Sequence, residues 1–300
     1  MTDFSVITDP AAWQPDFRRR LIDGYQAAGL PGPAADAHVT KLMEKADEWT
    51  AAAILDQGGR RIGQVVVSVT DQQGQGIGRI RELWTDPELD EQDTHRRAAH
   101  AWARDWCADR GVDQVMVQLT APDELFAEYP VRGQVRFKLI TTPTETPPGV
   151  TQRPLTEAEY ADWLARGIEA YTGDILRSGS LEPEQARRKA EEDFQRLLPE
   201  GLATPDTALV VLEADGEPIG NAWVRHGHLP GVSYGYDLVV HPEFRGRGLG
   251  RAAMAVGEQT VRAAGDRALM FTVWGGNEVA MSLYTAVGFG VLEETRTLVL

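Results

Sequence analysis

The sequence predicts an α/β fold made of two similar domains in tandem, each a mixed, twisted sheet flanked by helices. Three observations carry this expectation. Strand-like and helix-like stretches alternate along the chain. A Pro- and Thr-rich run, Thr141-Thr-Pro-Thr-Glu-Thr-Pro-Pro-Gly149, can hold neither a helix nor a central strand, and it divides the 300 residues almost equally. The halves also repeat: Leu83-Trp-Thr-Asp-Pro-Glu-Leu89 aligns with Leu238-Val-Val-His-Pro-Glu-Phe244, and an internal repeat fixes architecture before any single element does. The expected domains are 1–140 and 150–300, joined by a linker over 141–149.

In the first half, Ala51–Val69 reads as strand, turn and strand around Gln57-Gly-Gly-Arg60, with Ile62-Gly63 opening the second strand. Gly74-Gln-Gly76-Ile-Gly78 mimics a phosphate loop. It lies between two strand-like segments with no helix to follow, so it reads as a hairpin turn. A helix over Ala98–Arg110 carries Cys107, a core thiol, and the strand Val115–Leu119 follows.

In the second half, Thr207–His226 repeats the strand, turn and strand around Ala214-Asp-Gly-Glu217, with Ile219-Gly220 in the matching place. Before it, Thr156-Glu-Ala-Glu159 forms a capping-box start for a helix to about Tyr171. A second helix spans about Pro183–Leu198, with Ala190, Phe194, Leu197 and Leu198 on one face. Strands are expected near Leu209–Glu213, Ile219–His226 and Tyr234–Val240. A helix over Gly250–Ala264, a strand at Leu269–Trp274, a helix over Glu278–Ala286 and a strand near Val291–Val299 complete the order.

Acidic residues outnumber basic ones 45 to 30, a net charge of -15. That argues against sequence-independent nucleic-acid binding, which needs a basic surface. No apolar run approaches the length of a membrane span. The start, Met-Thr-Asp-Phe-Ser, has neither the charge nor the apolar core of a signal peptide. Cys107 is the single cysteine, which excludes an intrachain disulfide and favours a cytoplasmic home. No metal site is expected.

The stretch His241-Pro-Glu-Phe-Arg-Gly-Arg-Gly-Leu-Gly-Arg251 reads as strand end, glycine–arginine turn and helix start. Gly246, Gly248 and Gly250 strip side chains from the turn. Backbone N–H groups can then converge at the positive end of a helix, where phosphate binds. Arg245, Arg247 and Arg251 add cations that pair with phosphate oxygens. The spacing is neither a nucleotide-triphosphate loop nor a dinucleotide fingerprint.

Arg245-Gly-Arg-Gly-Leu-Gly250 resembles the R-x-x-G-x-G pyrophosphate loop of the GNAT superfamily of acyl-CoA-dependent N-acyltransferases. Downstream, Asn277-Glu-Val-Ala-Met-Ser-Leu-Tyr284-Thr-Ala-Val-Gly-Phe289 is similar to that family's closing N-x-x-A-x-x-L-Y-x-x-x-G-F segment. The resemblance covers roughly Val150 to Leu300. In the first half, Asp90-Glu-Gln-Asp-Thr-His95 stands where the glycine–arginine turn stands in the second: the glycines are gone and three carboxylates have arrived. The first domain therefore resembles the family fold with CoA binding lost, leaving a structural part or one wall of a cleft.

The resemblance implies acetyl-CoA as co-substrate. Its pyrophosphate would lie on Arg245, Gly246, Arg247, Gly248, Leu249, Gly250 and Arg251, its pantetheine arm along the main chain of Leu238, Val239 and Val240, with Asn277 and Tyr284 beside it. It implies direct acetyl transfer to a primary amine of a small molecule or peptide, by a monomer or homodimer. Tyr284 is the expected proton donor to the leaving thiolate, and Asp237, at the end of the fourth strand, the expected base. Tyr236, Glu278, His226 and His228 are reserves, the histidines expected in loops. Thr272 stands where some peptide-acetylating relatives carry a glutamate. A tandem with one disarmed half also resembles mycothiol synthase, whose acceptor is a cysteinyl amine; a natural-product or antibiotic amine fits as well. The alternative is a non-catalytic acyl-CoA-binding or regulatory protein, in which Asn277 only caps a helix and Tyr284 only packs.

Overall fold

The computed structural model describes residues 2–72, 75–90, 92–142, 145–177 and 181–300. The chain runs β1 (Asp3–Ile7), α1 (Gln14–Ala27), α2 (Gly32–Leu42), β2 (Thr50–Leu55), β3 (Arg61–Gln72), β4 (Gln75–Thr85), α3 (Thr94–Ala108), β5 (Gln114–Leu119), β6 (Val131–Leu139). It continues β7 (Val150–Pro154), α4 (Glu157–Arg177), α5 (Pro183–Leu197), β8 (Thr207–Ala214), β9 (Glu217–Leu229), β10 (Val232–Val240), α6 (Leu249–Ala263), β11 (Ala268–Trp274), α7 (Glu278–Ala286), β12 (Gly290–Val299).

Two compact units result, one of Met1–Gly133 with Leu292–Leu300, the other Gln134–Val291. They differ from the expected division at 141–149, two residues of which, 143 and 144, lie outside the described residues. The reason is hydrogen bonding. In the first unit the strand order is β1-β2-β3-β4-β5-β12; β12 pairs antiparallel with β5 from Glu294↔Leu119 to Val299↔Gln114. In the second unit the order is β6-β11-β10-β9-β8-β7. Each sheet is thus completed by a strand from the other half of the sequence.

The first unit packs α3 on one face of its sheet through Ala103, Cys107, Val65, Val67, Val115 and Val117. Cys107 is a buried free thiol, and burial pushes its pKa up to about 11. α1 covers the other face through Phe17, with Trp13, Ala46 and Val66. Strands β3 and β4 pair antiparallel up to Gln72↔Gln75; residues 73 and 74, where the expected turn begins, lie outside the described residues.

In the second unit α4 and α5 pack on β8 and β9 through Trp163, Phe194, Leu198, Leu209, Val211 and Trp223. The Thr156 start of α4 has its N–H and hydroxyl both on Glu159 Oε2, at 3.0 and 2.6 Å. α4 runs six residues past the expected Tyr171, to Arg177. α6 lies against the sheet through Ala252, Ala253 and Val256, which contact Leu212 and Ile219.

The units repeat in detail. The His241 N–H bonds the Ile219 carbonyl at 2.8 Å, and the Asp86 N–H bonds the Ile62 carbonyl at 2.8 Å. A β-carbon on Gly220 would overlap the Val239 carbonyl oxygen, and one on Gly63 the Trp84 carbonyl oxygen. Only glycine allows these close approaches.

Candidate active site

Strand β10 is irregular at its centre. Gly235 pairs with Val224 and Asp237 with Trp223, so Tyr236 is an extra, bulged residue. The parallel pairing of β10 with β11 runs from Val232↔Ala268 to Gly235↔Phe271 and stops there, although both strands continue. Past that point the main chain of β10 has β9 on one edge and, among the described residues, no strand on the other. On the β9 side Leu238, Val239 and Val240 oppose Ala222, Asn221 and Gly220. The Val240 carbonyl is bonded by Arg245 Nε at 3.0 Å. Tyr234 and Thr272 bridge the mouth of the split, hydroxyl to hydroxyl, at 2.7 Å.

The turn after β10 is left-handed at two of its glycines. Gly246 and Gly248 have φ of 76° and 79°, a left-handed backbone with nothing near either α-carbon's open side. Gly248 is the N-cap of α6, with no side chain capping the helix and no acid in its first turn. The first N–H groups of the helix therefore have no side-chain cap. Gly250 serves a different purpose: a β-carbon there would meet Leu283 at 3.1 Å, so it sets the approach of α7 to α6. Leu249 packs against the core beneath. Arg247 lies 5.6 Å from the Phe244 ring centre. Arg251, with Lys138, Met254 and Glu258, lines a cavity of about 290 Å³, and Lys138 pairs with the buried Glu258 at 2.6 Å.

Asp237 lies within β10 beside the bulge rather than at the strand end. Burial pushes its pKa up to about 6; the Leu238 N–H and the Asn221 amide pull against that, and the Asp174 carboxylate adds to it. Asn221 Nδ2 donates to Asp237 Oδ2 at 3.2 Å. Tyr284, on α7, packs edge-on against Phe271 at 4.5 Å. Burial raises its pKa, the nearby Asp237 adds to the rise, and Arg136 opposes it. The fold thus brings Asp237 and Tyr284 into one electrostatic neighbourhood at the split.

Asn277 caps α7, its side chain accepting from the Ala280 N–H at 3.2 Å. Glu278 is exposed in the first turn of that helix. The histidines are strand residues, not loop residues, because β9 extends to Leu229. His226 Nδ1 is bonded to the Ser233 hydroxyl at 3.0 Å, and burial lowers its pKa. The His228 ring packs on Tyr234 at 4.8 Å. Tyr236 packs on Trp223 and Tyr234, at 4.7 and 4.8 Å. Sequence reasoning missed Asn221 and Asp174. The signal for Asn221 was an amide inside the apolar strand Ile219-Gly-Asn-Ala-Trp-Val224.

The first unit carries the same parts in altered form. Its bulged residue is Arg81, between Ile80↔Val67 and Glu82↔Val66. Glu82 stands in the place of Asp237 and Gln64 in the place of Asn221. Gln64 Nε2 donates to Glu82 at 2.5 Å, and Arg20 adds a two-pronged ion pair at 2.7 and 2.9 Å. At the start of α3 the N-cap Asp93 holds the left-handed backbone of Gly248, with φ 54°. The buried Asp90 carboxylate accepts from the His95 and Arg96 N–H groups at 3.0 and 2.8 Å. This helix start is filled by the chain's own anion. Glu91 lies outside the described residues.

A bulged strand parting from its parallel neighbour beside an uncapped glycine turn lies within a fold of the acetyltransferase class. The chain belongs to the GNAT acetyltransferase family: the family model for "Acetyltransferase (GNAT) family" matches residues 174–289. The chain is 30% identical over 139 residues to the uncharacterized N-acetyltransferase YycN of Bacillus subtilis, covering 45% of this chain and 89% of that protein. It is 30% identical over 182 residues to the mycothiol acetyltransferase of Pseudarthrobacter chlorophenolicus, covering 56% of this chain and 54% of that protein; the chain thus spans about half the length of that relative. A solved GCN5-related N-acetyltransferase from Sphaerobacter thermophilus shares the fold, with a TM-score of 0.61 at 16% identity over 98% of this chain and 94% of that one. Among the described residues no group of side chains could hold a metal ion, and no helix is long and apolar enough to cross a membrane.

Proposed function

We propose that the second unit transfers an acetyl group from acetyl-CoA directly to a primary amine of a small molecule or peptide. The observation that carries this reading is the parting of β10 from β11 after Gly235 and Phe271, next to the uncapped Gly248 turn. Bound there, acetyl-CoA would supply an activated thioester carbonyl. The free N–H groups of Gly248 and its neighbours and the Arg245 and Arg247 guanidinium groups fit a pyrophosphate. The open edge of β10 past Gly235 fits an extended arm added like a strand, and an N–H on that edge can polarise a carbonyl.

The acceptor must lose a proton, since a lysine-like amine with pKa about 10 is over ~99% protonated at pH 7. Asp237, with its pKa raised to about 6, stays mostly ionised at neutral pH and is a stronger base than an ordinary carboxylate. Together with Asp174 it makes the site attractive to a cation. Tyr284, its pKa raised, keeps its proton until a thiolate leaves beside it. A thiol-release assay with acetyl-CoA and a panel of amines tests the reading. A cysteinyl amine belongs on the panel because relatives named mycothiol acetyltransferases match 56% and 55% of this chain. CoA binding without turnover on any amine would leave only a non-catalytic acyl-CoA-binding protein.

A further inference from the structure

The first unit carries arginines where the second carries tyrosines. Arg79 and Arg81 stand in the places of Tyr234 and Tyr236, on the sheet face opposite α3. Arg79 Nε donates to Thr70 Oγ1 and Arg81 Nε to Ser68 Oγ, each at 2.9 Å. Beyond those bonds the two forks are poorly used. Arg79 Nη1 reaches only the Met116 thioether, at 2.8 Å. The Arg81 guanidinium lies over the Trp49 ring at 4.6 Å. Among the described residues neither arginine has a carboxylate within ion-pair distance.

The acids nearby are already engaged. Glu82 is held by Arg20 and Gln64. Glu293, buried, accepts from the Tyr25 hydroxyl at 2.5 Å and the Gln118 amide at 2.9 Å, and burial raises its pKa. Burial and the nearby Arg79 charge lower the Arg81 pKa to about 10; burial lowers that of Arg79, and the Glu293 carboxylate opposes that shift. Glu293 is the one carboxylate whose charge reaches Arg79, and it is already bonded to Tyr25 and Gln118, so two adjacent, partly buried guanidinium groups share less than one full ionic partner, an unfavourable arrangement. An oxyanion meeting both forks offsets that penalty, because arginine matches carboxylate and phosphate oxygens in pairs of bonds.

We propose that Arg79 and Arg81 form an oxyanion-binding site in the first unit, for the carboxylate or phosphate group of a small molecule. The site is independent of the transfer reaction proposed for the second unit. Its ligand would meet the two forks beside the half-buried Thr70, with Trp49 as an apolar side wall. The disarmed half of the tandem is then a binding module of its own, with the opposite charge preference to the half that takes an amine.

Calorimetric titration of the full chain with inorganic phosphate, and separately with succinate, tests this. The Gly246–Gly250 turn is a second anion site, so each titration is repeated on an Arg245→Gln/Arg247→Gln variant. Saturable binding of at least one probe is expected to persist in that variant. It should weaken by about tenfold or more in Arg79→Gln/Arg81→Gln. If the latter variant does not fold, as read by circular dichroism, Arg79→Lys/Arg81→Lys keeps the charge and loses the paired geometry, and weaker binding is still expected. Phosphate alone binding assigns a phosphate ester, succinate alone a carboxylic acid, and both the shared chemistry. No saturable heat with either probe, binding unchanged in the Arg79/Arg81 variants, or binding lost only with the turn arginines overturns the proposal.

Discussion

Asp90 closes onto the main-chain N–H of Arg96 at 2.8 Å, and the start of α3 is thereby occupied from within. The matching position at the start of α6 is Arg245, whose side chain turns back to the Val240 carbonyl and leaves the helix start bare. This exchange of residue type caps one helix start and leaves the other without a side-chain cap. The sequence places three carboxylates in this stretch; the structure shows Asp90 buried and bonded, serving as a cap.

Asp90→Ala should therefore destabilise the protein by about 0.5–2 kcal/mol, the usual loss for a helix cap. Urea unfolding monitored by circular dichroism measures it. An unchanged midpoint would mean that the buried carboxylate is not stabilising α3.

Asp237→Asn should raise stability and lower activity. The carboxyl's ordinary pKa is 3.8 and in the fold it is about 6. Below pH 3.8 it is protonated in both states. As pH climbs from there through 6 the unfolded chain ionises first, so stability falls, levelling at a loss of up to about 3 kcal/mol. The asparagine variant should escape that loss, gaining at pH 7.5 and nothing at pH 3.5 in parallel denaturation curves. The kcat/KM profile of the native protein should show an acid limb near pH 6. Equal gain at both pH values would show that the carboxyl is not raised.

Tyr284→Phe should keep CoA affinity and lower kcat by about a hundredfold, the lower range for a positioned acid. Its ring contacts with Phe271 and Phe289 survive the change, so the fold is not disturbed. Stopped assays of thiol release beside CoA calorimetry separate the two effects. Unaltered turnover would reduce the hydroxyl to packing.

Gly220→Ala and Gly63→Ala should each destabilise by about 1–3 kcal/mol, because the new β-carbon would overlap a carbonyl oxygen of the next strand. Comparable shifts in thermal midpoint at both sites are expected from the internal repeat. A large loss at only one would mean that the two close approaches are not equivalent.

The turn Arg245–Arg251, the α7 start at Asn277 and the Ile-Gly pairs were legible because each rests on backbone chemistry that residue type alone announces. Gly248 must be left-handed and Asn277 must cap. The extents of α4 and β9 were not legible: their ends are fixed by packing, through Ile175 on α4 and Leu229 on β9. The unit boundaries were hidden for the same reason. A Pro- and Thr-rich run marks where the chain cannot be regular, not which sheet edge recruits β6 or β12. The Tyr236 bulge also left no trace, since an extra residue in one strand shows only against its neighbour's register.

The pairing of Leu292–Leu300 with the first unit has a consequence for the order of assembly. A ribosome makes 1–133 early, yet β5 waits for its edge partner until β12 has been translated, after every residue of Gln134–Val291. The region synthesised first is therefore the one finished later, and β5 is exposed as an unpaired edge for the whole interval.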